Sequence, residues 1–448
     1  MKYTTTYKLE DYILNTKWEE LPKAVRERAK GCLVDLMGAL ITGSMSEQFK
    51  VGLASADRMF GGGDIAVVGS EKRFNFLGAS TAMGHSSNAF DIDDGHNLTR
   101  AHPGTSFIGA LLAEAYDKDL TVKELLAAMV VSYDATVRMG AAIMDYYKFA
   151  HSSGTFGAIG VAAGVGRMRS YTREMMNNVL SIAEFNAPLV PGIRSVEYPS
   201  MNKDGVPFGV MIGALALSEN ECGFTGNKNI LEAEDFCHHL DGLGEDFAIM
   251  GLYFKPYPCC RWAHPAIDAC ALVMKENSLT HKDIDRVVIK TFERATMLSK
   301  IEPTCADEAQ YNIAYPVATA IVHGDFGIDK VMPEAFGDTE VLSMMKKLVF
   351  EADKDIDSLF PSRRICRAHI YTTDGRCFVS PDCEPRGEAN ECISNEWLSD
   401  KFRRMTAPLM DTHGQNELLS LILEGENEKA RKLVDLTNEK ILRKATKI

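Results

Sequence analysis

Over the first 250 positions, apolar residues come in long stretches rich in alanine, glycine and serine, with helical spacing and little alternation. Residues 22–43 read as a buried helix, with Pro22 suiting its first turn and Gly43-Ser44 its end. Residues 50–60, 76–90, 104–117, 155–168, 172–185 and 205–218 carry similar patterns. Thr121-Val-Lys-Glu124 is a capping box that opens a further helix reaching about Met144. Small residues at 78–90 predict close helix–helix approach. Phe60-Gly-Gly-Gly-Asp64 reads as a turn into a short strand at 65–69. It lacks the Lys-Ser/Thr ending of a phosphate loop.

After about residue 250 the pattern changes. Lys255-Pro-Tyr-Pro is too proline-rich for a helix interior. Helix 264–276 follows, then an alternating strand at 285–292, and helices at 311–323 and 338–350. Residues 365–380 read as a hairpin turning at Asp374-Gly375. From about Trp397 the chain returns to helix. The expected fold is mainly α: an all-helical domain from 1–252 and 393–448, with a smaller α+β lid domain, 253–392, inserted into it.

Composition narrows the function classes. The 448 residues carry a formal charge of -13 with no opposing basic stripe, which argues against nucleic acid as a partner. The basic run Lys440, Arg443, Lys444 and Lys447 alternates with apolar residues, as a solvated helix face does. No apolar run approaches the ~18 residues of a membrane span, and the N-terminus lacks signal-peptide character, so a cytoplasmic location is expected. Eleven cysteines, scattered and without Cys-x-x-Cys, predict neither disulfides nor structural zinc.

Four segments carry candidate chemistry. Residues 85–102 gather Asp91, Asp93 and Asp94 with His85, His96, Arg100 and His102 between apolar flanks. Such a cluster serves acid–base work when sheltered, although helix capping or metal ligation would use the same residue types. His151-Ser-Ser-Gly154 places an imidazole and hydroxyls at a helix N-terminus, suiting an anion or simple capping. Arg194 and Lys203 lie in one loop, either as a carboxylate clamp or as surface. Lys255, Cys259, Cys260, Arg261 and His264 crowd the junction of the two domains, and the thiols read as buried and inert. Together these groups match a small molecule with two or three carboxylates. Their cations would also stabilise an enediolate-like transition state.

The chain resembles the MmgE/PrpD family of 2-methylcitrate dehydratases, cis-aconitate decarboxylases and iminodisuccinate epimerases. The resemblance rests on Arg28–Gly38, Asn88-Ala-Phe-Asp-Ile-Asp-Asp94, His102-Pro, His151-Ser-Ser-Gly154, Met201-Asn-Lys203, Lys255-Pro-Tyr-Pro-Cys-Cys260, Ala314-Tyr315-Pro-Val-Ala318 and Pro385-Arg-Gly387. It implies a homodimer with a site between helical domain and lid, and neither metal nor organic cofactor. The decarboxylase site residues fall on Asp91, His102, His151, Lys203, Lys255 and Tyr315. Two positions depart from the pattern: Asp94-Gly95 stands in place of Asp-Thr, and Cys260 in place of a histidine. Both alter the donors around a substrate carboxylate.

The expected function is a dehydratase-like lyase removing a proton beside a carboxylate of a small di- or tricarboxylate. His102 and His151 would be acid and base, Asp91 would orient a histidine, and Tyr315 would donate a proton. Lys203, Lys255 and Arg194 would hold carboxylates, with Asp94, His96, Cys260, Arg261 and His264 lining the substrate. The alternatives are an epimerase or isomerase of a small dicarboxylate and a non-catalytic polycarboxylate-binding protein.

Overall fold

Two hydrophobic cores organise the chain. One contains buried side chains from Leu9 to Phe254 and again from Leu398 to Val434. The other runs from Tyr257 to Ile370, with Ala39, Phe90, Ile92, Val196 and Met405 reaching into it. The structure is a computed structural model describing residues 2–149 and 151–445, the last four by backbone alone. Lys440 of the basic run pairs with Glu417; Lys447 and the side chains of Arg443 and Lys444 lie outside the described residues.

The fold is mainly helical, as the patterning predicts. Helices Lys23–Gly43, Glu47–Met59, Phe76–Ser87, Thr105–Asp117, Val122–Tyr147, Ser153–Met168, Arg173–Phe185 and Val206–Glu221 build the first core. The capping box forms, with Thr121 and Glu124 exchanging side-chain and backbone bonds. Val122–Tyr147 is long and apolar enough to cross a membrane by composition, but 89% of its apolar window is buried against neighbouring helices. The C-terminal helix Asn395–Thr406 returns to this core along Lys23–Gly43. A Cβ at Gly31 of that helix would come within 2.6 Å of Asn395.

The short strand expected at 65–69 spans Gly62–Ala66 and pairs with Arg73–Phe74. The second core is covered by a four-stranded mixed sheet. Ile284–Thr291 pairs in parallel with Leu348–Ala352 and antiparallel with Cys366–Thr372, which continues to Cys377–Val379. The hairpin turns at Asp374-Gly375, where Gly375 adopts φ 86°. Two expectations need correction. The helix anticipated over 338–350 stops at Met345, and Leu348-Val-Phe-Glu-Ala352 becomes an edge strand, because β-branched and aromatic residues there gain a ladder partner. The helix anticipated over 311–323 splits into Ala306–Gln310 and Ala314–His323. Between them Ile313 N–H bonds Ser299 O, and Asn312 accepts from Tyr315 N–H, both outside a continuous helix.

One small pairing positions the site. Gly95–His96 runs antiparallel to Leu252–Tyr253. It draws the aspartate-rich loop after helix Phe76–Ser87 against the segment that carries Lys255.

Candidate active site

Helix Phe76–Ser87 ends at Asn88, and the chain turns sharply through Asp91, which adopts φ 49°. Lys203 adopts φ 35° in another loop. Left-handed backbone at non-glycine residues costs about 1–3 kcal/mol and concentrates at functional sites. The Lys203 side chain is buried against Gln310 and Asp307, and that of Asp91 points into a buried acid–base cluster.

His102 is its centre. Its Nδ1 lies 2.9 Å from Asp93 Oδ2 and 2.7 Å from Asp94 O. Both neighbours only accept, so Nδ1 carries the hydrogen. Nε2 then faces Asp91 Oδ1 at 3.2 Å. Burial disfavours the imidazolium, but the charges of Asp93 and Asp91 outweigh it and hold the pKa well above its usual value. Asp93 is itself fixed by Asn88 Nδ2 at 3.0 Å and the Thr105 hydroxyl at 3.1 Å. Burial raises its pKa, yet His102 and Lys255 bring it below the ordinary carboxylate value.

Lys255 Nζ lies 2.5 Å from Asp91 Oδ1. Burial opposes its charge, but Asp91 and Asp93 keep it ammonium. Burial raises the Asp91 pKa, and Lys255 and His102 offset this only in part. Lys203 Nζ donates to Ala89 O and to Gln310 Oε1 at 2.8 Å, and lies 3.1 Å from Asp307.

Asp204, absent from the sequence-based candidates, completes the cluster. It accepts from the Ser152 hydroxyl and lies 3.4 Å from that of Tyr311. Donor atoms of Asp91, His102 and Asp204 lie within 4.8 Å of one another, all buried. Its loop is seated by bare backbone: Gly154 N–H donates to Asp204 O at 2.7 Å, and a Cβ on Gly154 would meet Gly205 O at 2.3 Å. The three ligand-type atoms have a spacing that a divalent ion accepts, but the Lys255 ammonium already supplies Asp91 with its counter-charge.

The other predicted residues fall around this cluster at varying remove. Arg194 and Lys203 line one cavity of about 340 Å³, with Tyr198, Asn202, Gly205 and Phe208. Asp94 accepts from Gly104 N–H at 3.1 Å and from the Tyr133 hydroxyl, and burial raises its pKa to about 7. The Cys260 thiol is pushed up to about 12, by burial and then by Asp91, so it is no thiolate. His264 lies behind it, its Nε2 3.0 Å from Cys259 O and its pKa well below the usual value through burial. Arg261 bonds Glu388 at 2.9 Å and covers the Tyr253 ring.

Three predicted residues are not brought to His102. The His151 ring lies on Phe149, centroids 3.9 Å apart, with Tyr147 beside it. Its Nε2 has no hydrogen-bond partner among the described residues, and burial lowers its pKa. The neighbouring Ser152 and Ser153 reach the cluster instead, Ser153 Oγ accepting from His102 N–H at 2.9 Å. His96 lies in a separate cavity with Arg138, His239 and Asp246, its pKa lowered by burial to about 4. Tyr315 donates to Lys330 O at 2.9 Å, beside Phe326 and Phe336. Tyr311, four residues earlier, is the tyrosine at Asp204. Asp204 was legible beside Lys203 in the third segment, but Gln310 and Tyr311 sit in the unforeseen helix break and carried no motif.

Perturbed acid–base groups of this kind cluster at functional sites. Residues 7–246 match the MmgE/PrpD N-terminal domain and residues 257–424 the MmgE/PrpD C-terminal domain; the chain belongs to the MmgE/PrpD family. It is also similar to a cis-aconitate decarboxylase-like protein, oryM, of Aspergillus oryzae (strain ATCC 42149 / RIB 40). The two are 21% identical over 461 residues, covering 93% of this chain and 94% of that protein. These matches place the chain coarsely among dehydratase- and lyase-like enzymes.

Proposed function

We propose that this protein is a cofactor-independent, dehydratase-like lyase that removes a proton beside a carboxylate of a small di- or tricarboxylic acid. The observation that carries this reading is the buried Asp91–His102–Lys255 arrangement. His102 rests as an imidazolium, so it is the acid that protonates the departing hydroxyl, which leaves as water. The base is then a carboxylate, Asp91 or Asp204, rather than His151. The electron pair of the broken C–H bond forms the alkene, and the ammonium groups of Lys203 and Lys255 stabilise the enediolate-like charge on the way.

The cluster sets a condition on binding. Lys203, Lys255 and the His102 imidazolium face Asp91, Asp93, Asp204 and Asp307. A substrate carboxylate added to this balance is costly unless a proton enters with it. Arg194, exposed at the cavity it shares with Lys203, holds the distal carboxylate. A second copy of the chain covers the apolar side chains around that cavity. Leu189, Tyr198 and Phe208 are 61, 77 and 50% exposed, which favours a homodimer.

Asp204 favours a second reading, epimerisation of a small dicarboxylate, because it adds a third proton-handling group beside Asp91 and His102. Incubating the protein with a panel of di- and tricarboxylic acids in heavy water, followed by proton NMR, distinguishes the two. An alkene or a lost carboxylate is the lyase result. Solvent deuterium in recovered substrate of inverted configuration is the epimerase result. Tight binding with neither exchange nor product identifies a polycarboxylate-binding protein and rejects both.

A further inference from the structure

We propose that Asp145, His238 and His239 form a surface site for one divalent first-row transition ion, of which Zn²⁺ is the representative. This site is separate from the acid–base cluster and does not depend on the reading of that cluster. Each residue offers one ligand atom, and the three atoms lie within 4.8 Å of one another. His239 Nε2 and Asp145 Oδ2 are 3.0 Å apart. That is close to the edge of a tetrahedron around a zinc ion with ordinary bond lengths, about 3.3 Å. The His238 ring lies alongside that of His239, centroids 4.2 Å apart. Two imidazoles and one carboxylate suit zinc, cobalt, nickel or copper better than magnesium or calcium, which prefer all-oxygen ligands.

The ligands come from two elements that are locked together without an ion. Asp145 stands near the end of helix Val122–Tyr147, and the histidines stand on the short helix Cys237–Leu240. Arg138, seven residues before Asp145 and so on the same helix face, donates to His239 O at 2.9 Å, Asp241 O at 2.8 Å and Asp246 O at 2.7 Å. Tyr146 packs edge-on against Phe236, centroids 6.0 Å apart. The loop is therefore pinned to the helix on both sides of the histidines. Little ordering is left for the metal to impose, and preorganisation of this kind makes a site of only three protein ligands competent. A bound ion would cross-link helix and loop, with water in its remaining position.

The test uses the full chain, free of any histidine tag and treated with chelator. Calorimetric titration with ZnCl₂ should show one saturable site per chain, and CoCl₂ should give a visible absorption band. His239→Ala and Asp145→Ala should each weaken zinc binding by about tenfold or more. Both should melt like the parent without metal and lose the zinc-induced rise in melting temperature. His238→Asn, at an exposed position, provides an independent variant with the same expectation, whereas Cys237→Ser should bind zinc like the parent. Absence of saturable binding overturns the proposal. So does binding undiminished in His239→Ala, or binding abolished by Asp91→Asn, which would put the ion in the buried cluster.

Discussion

Lys401 Nζ lies 2.5 Å from Asp35 Oδ1 and 2.6 Å from Ile92 O, with both side chains fully enclosed. One ammonium thus joins the returning C-terminal helix, the helix Lys23–Gly43 and the backbone between Asp91 and Asp93. Burial lowers the Lys401 pKa and raises that of Asp35, so each charge depends on the other. Lys401→Met leaves a buried carboxylate unpaired and should destabilise the fold by about 3–5 kcal/mol. Lys401→Met with Asp35→Leu removes both charges and should recover most of that loss. Urea unfolding of the two variants checks the difference. Equal destabilisation would show that the ion pair is not what holds this junction.

Asp93 holds the His102 ring in its charged form from behind. Asp93→Asn should lower turnover by about 10²–10⁴-fold while substrate affinity changes little, since it removes the charge that favours the imidazolium without removing the ring. His102→Ala should cost at least as much in rate. If either variant instead loses affinity and keeps its rate, the pair belongs to binding rather than chemistry. Steady-state kinetics on whichever acid the heavy-water screen identifies makes the distinction.

Asp94 gives the fold a pH dependence of definite sign. Burial raises its pKa to about 7 in the folded chain, whereas an unfolded aspartate titrates near ~3.9. Between those values the folded state holds the extra proton, so this group's contribution to stability falls as pH rises from about 4 to 7 and is gone above it. Asp94→Asn can still accept from Gly104 N–H and donate to the Tyr133 oxygen. It should flatten this slope, seen as urea midpoints measured from pH 4.5 to 7.5 that change less than the parent's. A parent slope preserved in the variant would assign the dependence elsewhere. His102 does not cancel the effect. Its raised pKa gives stability that is complete below about 6.5 and lost only as pH climbs through the higher folded value.

The helices of the first core were legible because their periodicity is long and their ends are marked by residues such as Thr121, Glu124 and Pro22. Strand Leu348–Ala352 was not, since five residues beside a helix carry no period of their own and gain their shape from the neighbouring strand. The site shows the same division. Asp91, His102, Lys203 and Lys255 announce themselves as dense or proline-framed polar groups. Which tyrosine serves the cluster depends on the break at Tyr311–Ile313, and that break depends on the bond from Ile313 to Ser299, fourteen residues back. His151 sits in a motif whose hydroxyls, rather than its imidazole, turn toward His102. Local sequence places a residue in a loop but does not aim its ring.

Asp204 is the residue on which the choice of base turns. Asp204→Asn keeps an acceptor for Ser152 and the volume of the side chain, so the fold should hold while the proton-accepting capacity is lost. If Asp204 is the base, turnover should fall by about 10²–10⁴-fold. Gly154→Ala approaches the same carboxylate through the backbone. Its methyl would overlap Gly205 O and push the Lys203–Gly205 loop outward, at a cost of about 1–3 kcal/mol in stability. A displaced Asp204 makes Gly154→Ala slow as well as less stable. A variant that is destabilised but turns over at the parent's rate would show that Asp204 is a bystander, leaving Asp91 as the base.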